Sequence, residues 1–287
     1  MPSRLTVSNY SKEKVLHSEV LIEDHGQSSL SGKSIVQISD LHYGPSTNDQ
    51  DIQLIVRLTQ NLSPDMIVMT GDYVQKSRIG IRHRIATAYG PEVVNWKDFR
   101  RQVRSYAQAL GNLIAPLEAP LGVHAVFGNH DHHEGLGSIK KYLGSKVNWI
   151  NNVSFEPTSG LTLSGIDDLN VGKPDLASAV KQMEPFSSDN FRLLLCHNPD
   201  IVLADEKDLL KNYDLVLCGH THGGQLRLPF LPPLVTRTTQ KEYVAGLGYF
   251  KHSTGEETPL YVNQGGGFGA IRLRTFCPRE ITILKFS

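Results

Sequence analysis

The sequence predicts a layered α/β fold, and three features point to it. Short β-rich runs recur along the chain, and several are continuously apolar, as strands buried on both faces must be. Segments whose apolar residues fall at helical spacing separate them, so strand, loop and helix alternate. Residues able to hold cations or handle protons stand directly after five of the runs, where open α/β sheets place their ligands. No repeat, low-complexity stretch or Pro/Gly/Ser linker divides the 287 residues. One domain spanning 1–287 is therefore expected, with a basic helical insertion at about 76–115.

In chain order the strand runs are SIVQIS, MIVMT, VHAVF, LTLSGI, FRLLLC, YDLVLC, PLYVNQ and EITILKF. Between them, Gln50 to Leu62 carries Ile52, Ile55, Val56 and Leu58 at helical spacing, and Phe99 to Ile114 carries Phe99, Val103, Tyr106, Leu110 and Leu113. Hydrophobic content of 39% and charged content of 20% suit a globular protein with a sizeable core. Twenty-nine basic and 29 acidic residues cancel, so no global field recruits nucleic acid, and no nucleic-acid partner is expected. Cys196, Cys218 and Cys277 are odd in number and two lie in strand-like runs, which reads as buried small hydrophobes in a reducing compartment. No apolar run reaches the ~18–20 residues of a membrane span, and the opening MPSRLTVSNYSKEK lacks a signal-peptide stretch. A cytoplasmic protein is expected, peripheral at most on the inner membrane face.

The chemistry lies at the strand ends. SIVQIS runs into Asp40-Leu41-His42, MIVMT into Gly71-Asp72, and VHAVF into Gly128-Asn129-His130-Asp131. FRLLLC runs into His197 and YDLVLC into Gly219-His220-Thr221-His222. Carboxylate with imidazole is a borderline-hard donor set suited to manganese, iron or zinc, and no cysteine is placed to join it. Asp72 is the candidate bridge between two ions, since a carboxylate can set one oxygen on each. Glycines at 71, 128, 219, 223 and 224 permit tight backbone turns around such a site. Each motif alone is weak; five of them in this order are not.

That order of D-x-H, G-D, G-N-H-D, H and G-H-x-H, from about Ile35 to His222, resembles the calcineurin-like metallophosphoesterase superfamily. The flanks GHTHGGQLRLP, VNQGGGFG and RTFCPREITILKF are similar to its bacterial YaeI/YkuE-type branch. The resemblance implies a four-layer αββα sandwich with two mixed β-sheets. It implies two divalent cations, manganese first, with zinc or iron as alternatives. One would be held by Asp40, His42, Asp72 and His222, the other by Asp72, Asn129, His197 and His220. His130 would stand over the leaving-group oxygen as a protonated general acid. Such a pair, roughly 3.5–4 Å apart, activates a bridging hydroxide for in-line attack at phosphorus. One departure is visible: many relatives carry an acid three residues after the bridging aspartate, where this chain has Gln75.

The implied reaction is hydrolysis of a phosphodiester or pyrophosphate bond. The leading substrate is a UDP-linked acylated sugar, as in lipid A synthesis; a small phosphodiester or phosphomonoester is the alternative. The partner is thus a phosphorylated small molecule or a lipid-linked one. A catalytically empty scaffold of the same fold is disfavoured, because the ligand series is complete. From Lys76 to Arg104 lie eight basic residues (Lys76, Arg78, Arg82, Arg84, Lys97, Arg100, Arg101, Arg104) against Glu92 and Asp98. This segment is expected either to hold a lipid-linked substrate or peripheral membrane contact, or to be a solvated helix face. Gly265 to Gly269, GGGFG, reads as a tight turn beside the metal rim sooner than a phosphate cradle, since the Lys-Ser/Thr of a P-loop is missing. His132 and His133 read as loop residues.

Overall fold

In the computed structural model, which describes residues 4–23, 29–75, 96–205, 207–229, 231–233 and 236–287, the central strands bury alternate residues in different layers. The first sheet comprises β1 (Arg4–Lys12), β2 (Val15–Glu23), β3 (Ser34–Ile38), β4 (Met66–Met69), β5 (Val123–Ala125), β6 (Asn148–Trp149) and β13 (Arg279–Phe286). Its order is β1-β2-β13-β3-β4-β5-β6, with β3 to β6 parallel and β13 antiparallel to β3. The second sheet comprises β7 (Val153–Thr158), β8 (Leu161–Gly165), β9 (Phe191–Leu195), β10 (Leu215–Cys218), β11 (Gly246–Lys251) and β12 (Glu257–Val262). Its order is β11-β12-β10-β9-β8-β7, a parallel centre between antiparallel edges. Both sheets are mixed.

The apolar residues fall into three layers. Met66 and Val68 of β4, Leu193 and Leu195 of β9, and Leu215 and Leu217 of β10 pack between the sheets. Ile67 and Met69 of β4 turn outward to helices α1 (Asp49–Gln60), α2 (Trp96–Ile114) and α4 (Leu136–Leu143). Leu194 of β9, and Val216 and Cys218 of β10, turn the other way, to α5 (Leu176–Gln182) and α6 (Ile201–Ala204). Period-two strands buried on both faces thus give helix, sheet, sheet and helix, the four-layer sandwich. All eight strand runs read from the sequence are strands, and the three cysteines are free and buried.

Two expectations need adjustment. Of the basic segment, residues 76–95 lie outside the described residues. Arg100, Arg101 and Arg104 are exposed on α2, and Arg101 pairs with Asp98 at 2.9 Å. The stripe of Phe99, Val103 and Leu110 is buried, so this helix offers no free apolar face there. His132 and His133 lie on a short helix, α3 (Asn129–Glu134), not in a loop, and His132 meets Asp167 at 2.8 Å.

One buried side chain ties the sheets together. Gln37 of β3, with 0% exposure, donates from Nε2 to Thr70 Oγ1 (3.0 Å) at the end of β4 and to the Cys218 carbonyl (2.9 Å) at the end of β10. These are the strand ends from which the motif loops leave.

Candidate metal centre

Each motif residue follows a strand whose C-terminal end meets the same rim. Asp40 and His42 follow β3, Asp72 follows β4, Asn129 opens α3 after β5, His197 follows β9, and His220 and His222 follow β10. The loops are sharply bent: Asp40 (φ 51°), His42 (44°), Asp72 (58°), His220 (72°) and His222 (53°) all take left-handed backbone. That region is sparse for side-chain-bearing residues and concentrates at functional sites, at about 1–3 kcal/mol each. Gly71 and Gly128 allow the close approach. At Gly71 (φ 99°) a Cβ would lie 2.6 Å from the Gly128 nitrogen; at Gly128 one would collide with Asp72 Oδ1 and lie 2.8 Å from His197 Cε1.

The donor atoms converge in two clusters. In one, His42 Nε2 and His222 Nε2 are 2.9 Å apart, and Asp40 Oδ1 stands 3.7 and 3.5 Å from them. In the other, His197 Nε2 is 3.2 Å from His220 Nδ1 and 3.2 Å from Asn129 Oδ1. Asp72 Oδ2 lies between, 3.4 Å from His42 Nε2 and 3.3 Å from His197 Nε2. Atoms bound about 2.0–2.2 Å from one ion lie roughly 3.0–3.6 Å from each other, so these spacings suit ligands around two cations. Asp72 meets both clusters through one oxygen, not one oxygen each, because its Oδ1 accepts the His130 amide at 2.8 Å.

The ring protons strengthen this fit. His197 Nδ1 is 2.6 Å from the Thr70 carbonyl and His220 Nε2 is 3.0 Å from the Arg237 carbonyl. Donation to those carbonyls aims His197 Nε2 and His220 Nδ1 at each other; without a cation a proton on His197 Nε2 bridges them, and a bound cation would take that proton's place. Burial opposes charge on His197, yet the Asp72 carboxylate holds it well above the ordinary imidazole range. Burial pushes His220 down to about 4 and His222 well down, which keeps them neutral as ligands must be. Against burial, His222 and then His42 hold the Asp40 carboxyl low.

His130 stands at the rim of both clusters, its Nε2 4.0 Å from Asp72 Oδ2 and its ring edge-on to His42 at 4.6 Å. Burial pushes it down to about 3. A neutral ring in the resting site is therefore what the structure supports, not the protonated acid expected from sequence.

The roles of Asp131 and Arg274 were not legible in the sequence. Asp131, fully buried, accepts the amides of Asp72 (2.8 Å), Tyr73 (2.9 Å) and Gly128 (2.8 Å), clamping two motif loops. Arg274 lies behind His222, its Nη2 3.2 Å from Nδ1, and donates to the carbonyls of Gln264 and Gly267 at 2.9 and 2.7 Å. The GGGFG amides are all used internally: Gly265 to Asn263 Oδ1, Gly266 and Gly267 to the carbonyls of Ser39 and Asp40, Phe268 to Thr47 Oγ1, and Gly269 to Gln225 Oε1. That segment is a turn bracing the Asp40 loop, and its amides are not free for phosphate. Beside His222 opens a cavity of about 130 Å³ lined by Thr221, Gln225, Leu226, Arg237 and Ile271.

Residues 33–224 match the family described as Calcineurin-like phosphoesterase. The chain is 31% identical over 258 residues to the uncharacterized metallophosphoesterase YkuE of Bacillus subtilis, covering 88% of this chain and 78% of that one. It is 30% identical over 260 residues to the phosphodiesterase YaeI of Escherichia coli, covering 88% and 81%. It is 29% identical over 317 residues to the UDP-2,3-diacylglucosamine pyrophosphatase LpxG of Chlamydia muridarum, covering 89% and 84%.

Proposed function

Because the chain belongs to the calcineurin-like phosphoesterase family and is a metal-dependent phosphoesterase, we propose that it holds two divalent cations between its sheets and cleaves the pyrophosphate bond of a UDP-linked acylated sugar. Asp40, His42 and His222 would hold one cation, Asn129, His197 and His220 the other, and Asp72 Oδ2 both. The observation that carries this is Asp72 Oδ2, 3.4 Å from His42 Nε2 in one cluster and 3.3 Å from His197 Nε2 in the other. Manganese suits the imidazole, carboxylate and amide set, with zinc or iron as alternatives. When bound, the cations supply Lewis-acid charge and activate water for in-line attack at phosphorus.

The chain's own groups do the rest. Asp131 keeps the Asp72 and Gly128 amides fixed, so the bridging oxygen is already in place when substrate arrives. His130, neutral, would donate a hydrogen bond from Nε2–H to the leaving-group oxygen, whose proton then comes from solvent. Arg237 faces the phosphate from the cavity wall, whose volume of about 130 Å³ takes a phosphoryl group, not a whole nucleotide. The remainder of the substrate would lie outside, along Leu226 and Ile271. The substrate class rests on the likeness to LpxG. The test is a screen of the manganese-reconstituted protein on a UDP-linked diacyl sugar, a small phosphodiester and a phosphomonoester. The proposal predicts the highest kcat/KM on the first. A preference for the small diester favours a general phosphodiesterase.

A further inference from the structure

Two stretches beside the metal mouth carry an unusual surface. Residues 225–240 and 263–279 together contain five arginines and no acidic residue. They are joined by the Leu226–Thr275 bridge and by Gln225 Nε2, which donates to the carbonyls of Ile271 and Leu273 at 2.8 and 2.9 Å. Of the ten exposed large apolar side chains among the described residues, five stand here: Leu228, Leu231, Ile271, Leu273 and Phe276, between 38 and 70% exposed. Such a concentration marks an interaction surface. It is continuous with the site, since the Arg237 carbonyl meets His220 and Leu226 lines the cavity.

Not all of its charge is free. Arg274 is half-buried behind His222, and Arg272 and Arg279 pair with Asp51. Arg237 is exposed and Arg227 half-buried, and neither forms an ion pair among the described residues. Exposed leucine and phenylalanine beside unneutralised guanidinium, with no carboxylate in either stretch, is the chemistry of the boundary between acyl chains and anionic headgroups. A second copy of the chain is a poorer occupant, because a two-fold contact sets a cationic face against itself.

We propose that this rim docks on an anionic phospholipid bilayer, with Leu228, Leu231 and Phe276 in the headgroup boundary and the metal mouth turned to the membrane surface. The proposal deepens the reading of a lipid-linked substrate but is tested separately from it. The holoenzyme is sedimented with vesicles of phosphatidylcholine alone and of equal parts phosphatidylcholine and phosphatidylglycerol, while turnover of a soluble phosphodiester is read on the same samples. Wild type is expected to partition onto the mixed vesicles and less onto the neutral ones. The triple variant Leu228→Ser, Leu231→Ser, Phe276→Ser should partition at least about tenfold more weakly, since each large apolar side chain withdrawn from the interface removes a favourable transfer. Its soluble-substrate turnover should stay at the wild-type value. Wild type remaining in the supernatant with both vesicles overturns the proposal, as does equal binding of the variant. A wild-type dimer in light scattering that the variant dissolves overturns it too, assigning the rim to a second copy. Vesicle binding without diester turnover would leave docking intact and count against the metal-site reading alone.

Discussion

Gln37→Met removes the polar tie between the two sheets while keeping side-chain length. The Cys218 carbonyl keeps the Asn263 amide at 2.9 Å, so it loses only a second hydrogen bond, about 0.5–1.5 kcal/mol. Thr70 Oγ1 loses the Nε2 donor, about 1–2 kcal/mol at a buried site. Gln37 Oε1 is itself buried without a partner among the described residues, and its removal returns roughly 1 kcal/mol. The net expectation is destabilisation of about 1–2 kcal/mol, and at roughly 2–4 °C per kcal/mol for a domain of this size the Tm falls by about 2–8 °C. Urea unfolding followed by circular dichroism measures it. Cation affinity should also drop, because Thr70 and Cys218 precede ligands from opposite sheets. A variant as stable as wild type, with unchanged affinity, would refute the idea that this contact aligns the two halves.

Asp131→Asn replaces one acceptor oxygen by a donor facing an amide, so unfolding stability should fall by about 2–4 kcal/mol and turnover with it; a stable, fully active variant would show the three amides do not need the carboxylate. His130→Ala should keep cation content near wild type while kcat drops about 10²–10³-fold through loss of one hydrogen bond to developing charge; loss of a cation would make His130 a ligand. In the cation-free protein His197 is held upward despite burial, so loading must displace its proton. Affinity should therefore climb by up to about tenfold per pH unit, and go on climbing above the ordinary imidazole value of about 6.5. Calorimetric titration in buffers of different ionisation enthalpy checks this, and no proton release would contradict it.

The central strands and their chemistry were legible because burial on both faces gives unbroken apolar runs, and each ligand loop starts where such a run stops. The β1–β2 hairpin was not. Its turn places Glu13 and Lys14 at φ 51° and 63°, a geometry usually marked by Asn-Gly or Asp-Gly, and β1 is largely exposed and polar. The two-residue β6 carries too little pattern to read. Within the candidate site, residue types and their order could be read, but not Asp131 as a clamp, because two of the three amides it accepts lie 58 and 59 positions away. Nor could sequence show that one oxygen of Asp72 faces both clusters, or that burial pushes His130 down. Both depend on what the fold brings alongside. The stripe on α2 was read correctly as apolar, but sequence could not tell packing against the core from a free face.

Metal content per chain, measured after reconstitution with manganese and removal of loosely held ions, tests the central claim most directly. The geometry predicts two equivalents in wild type and fewer than one in Asp72→Asn, since the lost charge is shared by both clusters. One equivalent or none in wild type, or two retained in Asp72→Asn, would contradict a dinuclear site bridged by Asp72.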